Sequence, residues 1–148
     1  MGVMAKLKVL FIDDDDTLQL LASAMMNTGI FEIVSATRTA AADKILARQN
    51  VDIIVCDVMM PDEDGLKFCE RLRASGNKTP VLILSAVSDP TIIGRANAIG
   101  ITDYLFKPFD IHAFQKKLLA MGGKKPPPPK ASSKASSKPS GLMGWLRG

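Results

Sequence analysis

One stretch of the chain decides its fold: Asp52-Ile-Ile-Val-Cys-Asp-Val-Met-Met-Pro-Asp-Glu-Asp-Gly65. It contains four consecutive apolar residues, 53–56. Their number suits a strand, and their composition suits burial on both faces of a parallel sheet. The apolar run ends in a carboxylate, Asp57. Because ligands of open α/β sheets bind at the carboxyl ends of the strands, Asp57 is a candidate functional residue.

Three further apolar runs end in the same way, in a charged or polar side chain. Residues 9–12 lead into Asp13 and Asp14, residues 81–84 lead into Ser85, and residues 104–106 lead into Lys107. If all four runs are parallel strands, their carboxyl ends line one crevice. Three carboxylates, a hydroxyl and an ammonium group then converge, which predicts a site for a metal ion and a phosphoryl group.

The helices predicted between these strands have defined ends. The first is predicted to begin in the acidic cluster after residue 12 and to end near Gly29. The fourth begins at Asp89-Pro90, an N-cap followed by a proline at the first helical position, and stops at Gly100. Asp110 is predicted to cap the fifth helix.

A further strand is indicated by Phe31-Glu-Ile-Val-Ser35, where apolar and polar residues alternate as in an edge or half-covered strand. With it, five strand–helix units follow one another between residues 6 and 121. This alternation predicts the α/β class: a doubly wound parallel sheet with helices on both faces.

Composition and length exclude several classes of protein. The 148 residues contain no run near the about 20 consecutive apolar residues of a membrane-spanning helix. The N-terminus lacks the apolar stretch of a signal peptide. The two cysteines, Cys56 and Cys69, have no metal-site spacing to each other or to the single histidine, His112. They predict buried thiols in a reducing compartment, and we expect a cytoplasmic protein.

The charge and composition of the chain change after residue 121. Residues 1–121 hold all 15 acidic and 13 of the 19 basic residues, a net charge of −2, whereas the remainder carries +6. Residues 122–140, rich in lysine, proline and serine, are predicted to form a disordered linker. Residues 141–148 regain apolar side chains and include Trp145. We expect this end to dock on a protein, although its lysines also suit nucleic acid or an anionic membrane.

The chemistry of the predicted site follows from its residue types. The oxygens of Asp13, Asp14 and Asp57 are the hard ligands that Mg²⁺ prefers. Asp57 is an oxygen nucleophile able to form an acyl phosphate, and Ser85 and Lys107 would neutralise phosphoryl oxygens. The bond between Lys107 and Pro108 is a candidate cis peptide that would aim the ammonium inward.

These segments, taken together, resemble a response-regulator receiver domain of the CheY-like family. The resemblance rests on Lys8-Val-Leu-Phe-Ile-Asp-Asp14, Asp52 to Gly65, Pro80-Val-Leu-Ile-Leu-Ser-Ala86 and Asp103-Tyr-Leu-Phe-Lys-Pro-Phe109. It covers residues 6–121 in the right order, as a single receiver domain. It implies a flavodoxin-like, five-stranded sheet with strand order 2-1-3-4-5.

The resemblance also implies roles for individual residues. Asp57 would accept phosphate from a histidine kinase or phosphotransfer protein. Asp14 and Asp57 would bind Mg²⁺ directly, Asp13 would act through water, and the Met59 carbonyl would complete the protein ligands.

By the same resemblance, Ser85 and Lys107 would contact the phosphoryl oxygens. Tyr104 stands at the position of the family's aromatic switch, and Ser85 would move towards the phosphate as Tyr104 turns inward. The surface of the fourth helix, fifth strand and fifth helix would then bind a downstream protein. Tyr104 also suits plain packing against the sheet edge.

A protein of this kind is not an enzyme in the metabolic sense, because its chemistry is limited to its own phosphorylation and dephosphorylation. The sequence contains no segment that predicts sequence-specific nucleic-acid binding. We expect either a monomer or a phosphorylation-dependent dimer.

Two alternatives remain open at this point. Asp13-x-Asp15-x-Thr17 matches the motif of haloacid-dehalogenase-type phosphatases, in which Asp13 would be the nucleophile and Asp15 the general acid. That motif leaves the segment from Asp57 to Gly65 unexplained. The second alternative is a phosphorylation-independent binding module with the same fold.

Overall fold

The computed structural model describes residues 6–26, 29–86 and 90–123. Strands and helices alternate strictly along these residues. The elements are β1 Leu7–Ile12, α1 Asp16–Met26, β2 Phe31–Ala36, α2 Thr39–Arg48, β3 Ile53–Asp57, α3 Gly65–Ala74, β4 Val81–Ser85, α4 Pro90–Ala98, β5 Asp103–Phe106 and α5 Ile111–Gly123. The five predicted strand–helix units are all present. The predicted linker beyond α5, the C-terminal peptide and the proposed cap Asp89 lie outside the described residues.

The strands form one parallel sheet in the order β2-β1-β3-β4-β5, which confirms the flavodoxin-like, doubly wound topology. The chain runs outward from β1 to β2 and then returns to β3 on the other side of β1. The crevice above β1 and β3 is therefore the topological switch point, where ligands of such sheets bind.

Two apolar layers cover the two faces of the sheet, because successive side chains of a strand point to opposite faces. On one face, Leu10, Ile12, Ile54, Cys56 and Ile83 pack with residues of α2, α3 and α4. On the other face, Val9, Phe11, Val55, Leu82 and Leu84 pack with residues of α1 and α5. The continuously apolar strand sequences thus reflect burial on both sides.

The fifth helix shows how local sequence sets an element. The Asp110 carboxylate accepts a hydrogen bond of 2.7 Å from the Ala113 amide, which confirms the predicted cap. Phe114, Leu118 and Met121 are buried against the sheet. The helix was expected to end at the two glycines that follow Met121, and it includes both of them.

Three other local predictions agree with the structure, whereas α4, which was predicted to stop at Gly100, ends at Ala98. β2 is an edge strand, buried at both ends and exposed at Glu32 and Ser35. Gly100 has a φ of +83°, a conformation that permits the chain to leave α4 and enter β5. Cys56 and Cys69 are buried free thiols. None of the helices within the described ranges is long and apolar enough to span a membrane.

Candidate functional site

Strand register brings the three predicted carboxylates together. Ile12 of β1 pairs with Cys56 of β3, so the residues that follow each of them, Asp13 and Asp57, lie side by side at the carboxyl edge of the sheet. One carboxylate oxygen from each of Asp13, Asp14 and Asp57 lies within 4.8 Å of the other two. Asp13 and Asp57 are buried, whereas Asp14 is exposed. The cluster therefore opens to solvent on the side of Asp14.

The Asp57 carboxylate is held by one hydrogen bond to each oxygen. Its Oδ1 accepts the Met59 amide at 3.0 Å, and its Oδ2 accepts the Lys107 ammonium at 2.8 Å. Only 5% of the residue is exposed. The Met59 side chain, by contrast, is largely exposed beside the site. These contacts orient the carboxylate without removing it from the crevice.

Asp13 is the most deeply placed acid of the cluster. Its Oδ1 accepts the Asp15 amide at 2.8 Å, and its backbone carbonyl accepts the Gln19 side-chain amide at 2.7 Å. Burial, together with the negative charge of Asp57, raises the pKa of Asp13 to about 6, although the Asp15 amide and Lys107 act in the opposite direction. Asp13 is thus harder to ionise here than in water.

Lys107 is the positive partner of these acids. Its Nζ lies 2.8 Å from Asp57 Oδ2 and 3.3 Å from Asp13 Oδ2. Burial alone would lower the pKa of Lys107, but the hydrogen bond to Asp57 and the nearby carboxylates outweigh it and raise the pKa. The peptide bond between Lys107 and Pro108 is cis, as predicted. The side chain is therefore a cation at neutral pH, aimed into the crevice.

The carboxylate oxygens of this cluster suit a divalent cation such as Mg²⁺. Three carboxylates face a single ammonium, so negative charge remains uncompensated. Asp13 Oδ2 is buried and accepts no hydrogen bond within the described part of the chain, although it lies at ion-pair distance from Lys107. A buried carboxylate oxygen that makes no hydrogen bond is costly even beside an ammonium, and a hard cation would satisfy it.

Ser85 and Tyr104 lie on the neighbouring strands β4 and β5, and Ser85 stands at the carboxyl end of its strand, as Asp57 does. Ser85 is buried at the end of β4, where its carbonyl accepts the Lys107 amide at 2.7 Å. Tyr104 is half-buried on β5 and packs against the layer formed with α2, α3 and α4. Its hydroxyl donates to the Ile101 carbonyl at 3.2 Å and to the Asn97 side-chain oxygen. Tyr104 thus joins β5 to α4 in the structure.

Two acids in the loop between β3 and α3 bind neighbouring helices, and neither role was predicted from the sequence. The Asp62 carboxylate accepts the amides of Thr39 and Ala40, each at 3.1 Å, and so caps α2 from a distant part of the chain. Glu63 binds Arg71 of α3 in two hydrogen bonds, at 2.8 and 2.9 Å. Pairs separated this widely along the chain leave no local sequence signal.

Asp64 is the third acid of that loop. Its Oδ1 accepts the amides of Leu66 at 2.8 Å and Lys67 at 3.3 Å, so it caps α3. An acid immediately before a helical apolar pattern is a recognised start signal, and it was available in the sequence. Asp64 also forms an ion pair with Arg95 of α4.

Gly65 allows α3 to begin directly against the end of β3. A Cβ atom at this position would lie 2.1 Å from the Asp57 carbonyl oxygen, far inside any real contact distance. The Gly65 amide also donates to the Val58 carbonyl at 2.8 Å. The absent side chain is therefore a requirement of the site.

Similarity to known proteins covers the same part of the chain. A family model described as "Response regulator receiver domain" matches residues 9–119. The chain is 33% identical over 126 residues to a probable chemotaxis protein CheY of Rhizobium etli, covering 83% of this chain and 98% of that protein. It is 30% identical to the Regulator of RpoS of Escherichia coli, covering 76% of this chain but 34% of that longer protein.

Solved structures show the same architecture. The chemotaxis response regulator CheY4 of Vibrio cholerae has 27% sequence identity and a TM-score of 0.73, covering 79% of this chain and 99% of that one. The receiver domain of the Francisella response regulator 1452 has 31% identity and a TM-score of 0.73, covering 80% and 98% of the two chains.

Proposed function

Because the chain belongs to the response-regulator receiver-domain family of two-component signalling, we propose that Asp57 is phosphorylated in a Mg²⁺-dependent reaction. The donor is a phosphohistidine of a histidine kinase or phosphotransfer protein. A single observation carries this proposal: Asp57 Oδ2 lies 2.8 Å from the Lys107 ammonium while two further carboxylates approach within 4.8 Å. A nucleophile, a cation-binding set and a positive charge thus meet at one point.

The transfer assigns a task to each of these groups. An Asp57 oxygen forms the new bond to phosphorus as the bond between phosphorus and the donor imidazole nitrogen breaks, and the electron pair remains on the imidazole. Lys107 exchanges its carboxylate partner for phosphoryl oxygens, and the Ser85 hydroxyl donates to another of them. Asp13, Asp14, Asp57 and the Met59 carbonyl would hold Mg²⁺, which would supply positive charge to offset that of the phosphoryl group.

The output step rests on Ser85 and Tyr104. We expect Ser85 to approach the phosphoryl group, and Tyr104 to leave its partners Asn97 and Ile101 and turn inward. The surface of α4, β5 and α5 would then bind a downstream protein. We expect this to occur in the cytoplasm, with the chain as a monomer or a phosphorylation-dependent dimer.

Of the two alternative functions, the phosphatase is disfavoured by the family match, whereas the binding module needs an experiment. The haloacid-dehalogenase-type reading requires Asp13 as nucleophile, and membership of the receiver family over residues 9–119 argues against it. A phosphorylation-independent binding module shares the receiver fold, so only a chemical test separates it from the proposal.

The test is incubation with acetyl phosphate and Mg²⁺, followed by intact-mass measurement. We expect the mass of one phosphoryl group to be added to the wild-type chain, to be absent in Asp57→Asn, and to be absent when Mg²⁺ is chelated. Asp16→Asn is the matched control, because it removes an exposed acid of the same acidic run. A wild-type chain that gains no mass would favour the binding module, and a gain retained by Asp57→Asn would move the acceptor elsewhere.

A further inference from the structure

The loop between β3 and α3 carries the proposed metal ligand Met59 and is tied to three helices. Three consecutive acids make these ties. Asp62 binds the first amides of α2, Glu63 binds Arg71 of α3, and Asp64 binds both the first amides of α3 and Arg95 of α4. The tie to α4 is notable because that helix supplies part of the proposed output surface.

Asp64 is coupled directly to Met59 through the backbone. The two residues pair as an antiparallel bridge across the loop. Immediately outside this bridge, the Gly65 amide donates to the Val58 carbonyl at 2.8 Å. Within the bridge, Met59 is also tied to the site, because its amide donates to Asp57 Oδ1 at 3.0 Å. The position of Asp64 therefore constrains the position of the Met59 backbone.

Arg95 donates hydrogen bonds to the Asp64 carboxylate from both of its terminal nitrogens. Nη1 donates to Oδ2 at 3.2 Å and Nη2 donates to Oδ1 at 3.1 Å, a two-point contact that fixes orientation as well as distance. Burial acts to raise the pKa of Asp64, but the hydrogen bond from Arg95 and the amides of Leu66 and Lys67 outweigh it and lower the pKa. The carboxylate is thus shared between the start of α3 and the guanidinium of α4.

From this geometry we propose that Arg95 is a positioning residue for Mg²⁺ binding, acting through Asp64 to hold the loop that presents the Met59 carbonyl. The role rests on the proposed function, since it concerns the same metal. The coupling is reciprocal: the free energy by which the Arg95–Asp64 pair strengthens Mg²⁺ binding equals the free energy by which Mg²⁺ strengthens the pair. Mg²⁺ binding therefore also affects α4, which carries Arg95. This route reaches α4 through Arg95, whereas Tyr104 reaches the same helix through its hydrogen bond to Asn97.

The expected effect is modest, because the side chains of Arg95 and Asp64 are 41% and 35% exposed. Ion pairs of this exposure change an equilibrium by about two- to fivefold. We expect Arg95→Ala to raise the Mg²⁺ dissociation constant of the full chain by this factor. Arg95→Lys should recover only part of it, since an ammonium makes no two-point contact.

The experiment is a Mg²⁺ titration of the full chain followed by the backbone amide signals of Met59 and of residues 91–98. The matched control is Arg48→Ala, which removes an exposed arginine of α2 that forms no ion pair in the described ranges. It should leave the dissociation constant unchanged. In wild type the signals of residues 91–98 should shift with Mg²⁺, and this shift should shrink in Arg95→Ala.

A double-mutant comparison separates positioning from general destabilisation. In an Asp64→Asn background, where the carboxylate is lost but an oxygen remains to cap α3, Arg95→Ala should change the dissociation constant little further. An unchanged constant in Arg95→Ala, or an equal loss in the Asp64→Asn background, would overturn the role of Arg95. A wild-type chain that binds no Mg²⁺ would overturn the proposed metal site as well.

Discussion

The absence of a side chain at Gly65 controls how closely α3 approaches the carboxyl end of β3. The helix begins where a Cβ atom would overlap the Asp57 carbonyl oxygen. A larger residue must push α3 away from β3 or displace the backbone of Asp57. Either movement would disturb the hydrogen bonds of the loop that follows Asp57, because Gly65 also donates to Val58.

We predict that Gly65→Ala destabilises the protein by about 1–3 kcal/mol, the usual range for an overpacked site. The same substitution should slow phosphorylation by acetyl phosphate, because the Asp57 backbone moves. Gly94→Ala is the matched control: it lies on α4, its Cβ would meet nothing within 4 Å, and it should stabilise by about 0.5–1 kcal/mol. Urea unfolding measures both. Equal effects of the two substitutions would contradict this account.

At the scale of elements, α2 depends on a residue outside itself. Its N-cap residue, Arg38, provides no side-chain hydrogen bond to the helix. Asp62 does so from the loop after β3, through the amides of Thr39 and Ala40 and the Thr39 hydroxyl. The N-terminus of a helix attracts negative charge as well as hydrogen-bond acceptors. The loop and the helix therefore stabilise each other.

We predict that Asp62→Ala lowers the free energy of unfolding by about 0.5–2 kcal/mol, the range found for lost helix caps. Asp110→Ala, which removes the local cap of α5, should cost a similar amount. Only Asp62→Ala should also shift the amide signals of residues 58–60 and 62–64. If both variants leave those signals unchanged, Asp62 stabilises α2 without influencing the loop.

Low pH should reduce the stability that the acidic residues of the same loop contribute. The pKa of Asp62 and of Asp64 is lowered because hydrogen bonds outweigh burial, and the pKa of Glu63 is lowered chiefly by its hydrogen bond to Arg71. A lowered folded-state pKa contributes stability above the ordinary pKa of the acid, and this stability disappears as the pH falls through the folded value. We predict that Asp62→Asn shows a shallower loss of stability below about pH 4 than wild type, in unfolding measured by circular dichroism. An identical acid profile would contradict a role for the ionised carboxylate.

At the scale of the whole molecule, both apolar layers are built from residues between 7 and 121. Met121, in the last turns of α5, is buried in one of these layers, and Gly122 lies close to the Leu7 side chain. The segment beyond Gly123 carries six positive charges and no acidic residue before the C-terminus. The folded unit and the basic tail are therefore distinct in composition.

We predict that a chain ending at Gly123 keeps the unfolding free energy of the full chain within about 0.5 kcal/mol, the usual effect of surface changes. A chain ending at Ala120 removes Met121 and should lose about 2–5 kcal/mol. Urea unfolding of the three chains tests the predicted boundary. A large loss on truncation at Gly123 would show that the tail belongs to the folded unit.

Much of this architecture was predictable because its signals are local. Four apolar runs, each ending in a charged or polar residue, predicted four of the five strands, and the capping pattern at Asp110 predicted the start of a helix. Parallel pairing then placed Asp13, Asp14, Asp57, Ser85 and Lys107 at one edge, as predicted. The roles proposed for Met59 and Tyr104 rest on resemblance to the receiver family, since no local pattern distinguishes a ligating carbonyl or a mobile aromatic ring.

Tertiary structure alone decided how the site is held in place. Asp62 meets Thr39, 23 residues away, and Asp64 meets Arg95, 31 residues away. Gly65 is required because α3 packs directly on the backbone of Asp57. Sequence determines which residues form strands and helices, because burial requires a continuous apolar run in each central strand and a periodic apolar pattern in each helix. The partner of an exposed acid depends instead on how finished elements pack together, and that packing leaves no periodic trace in the chain.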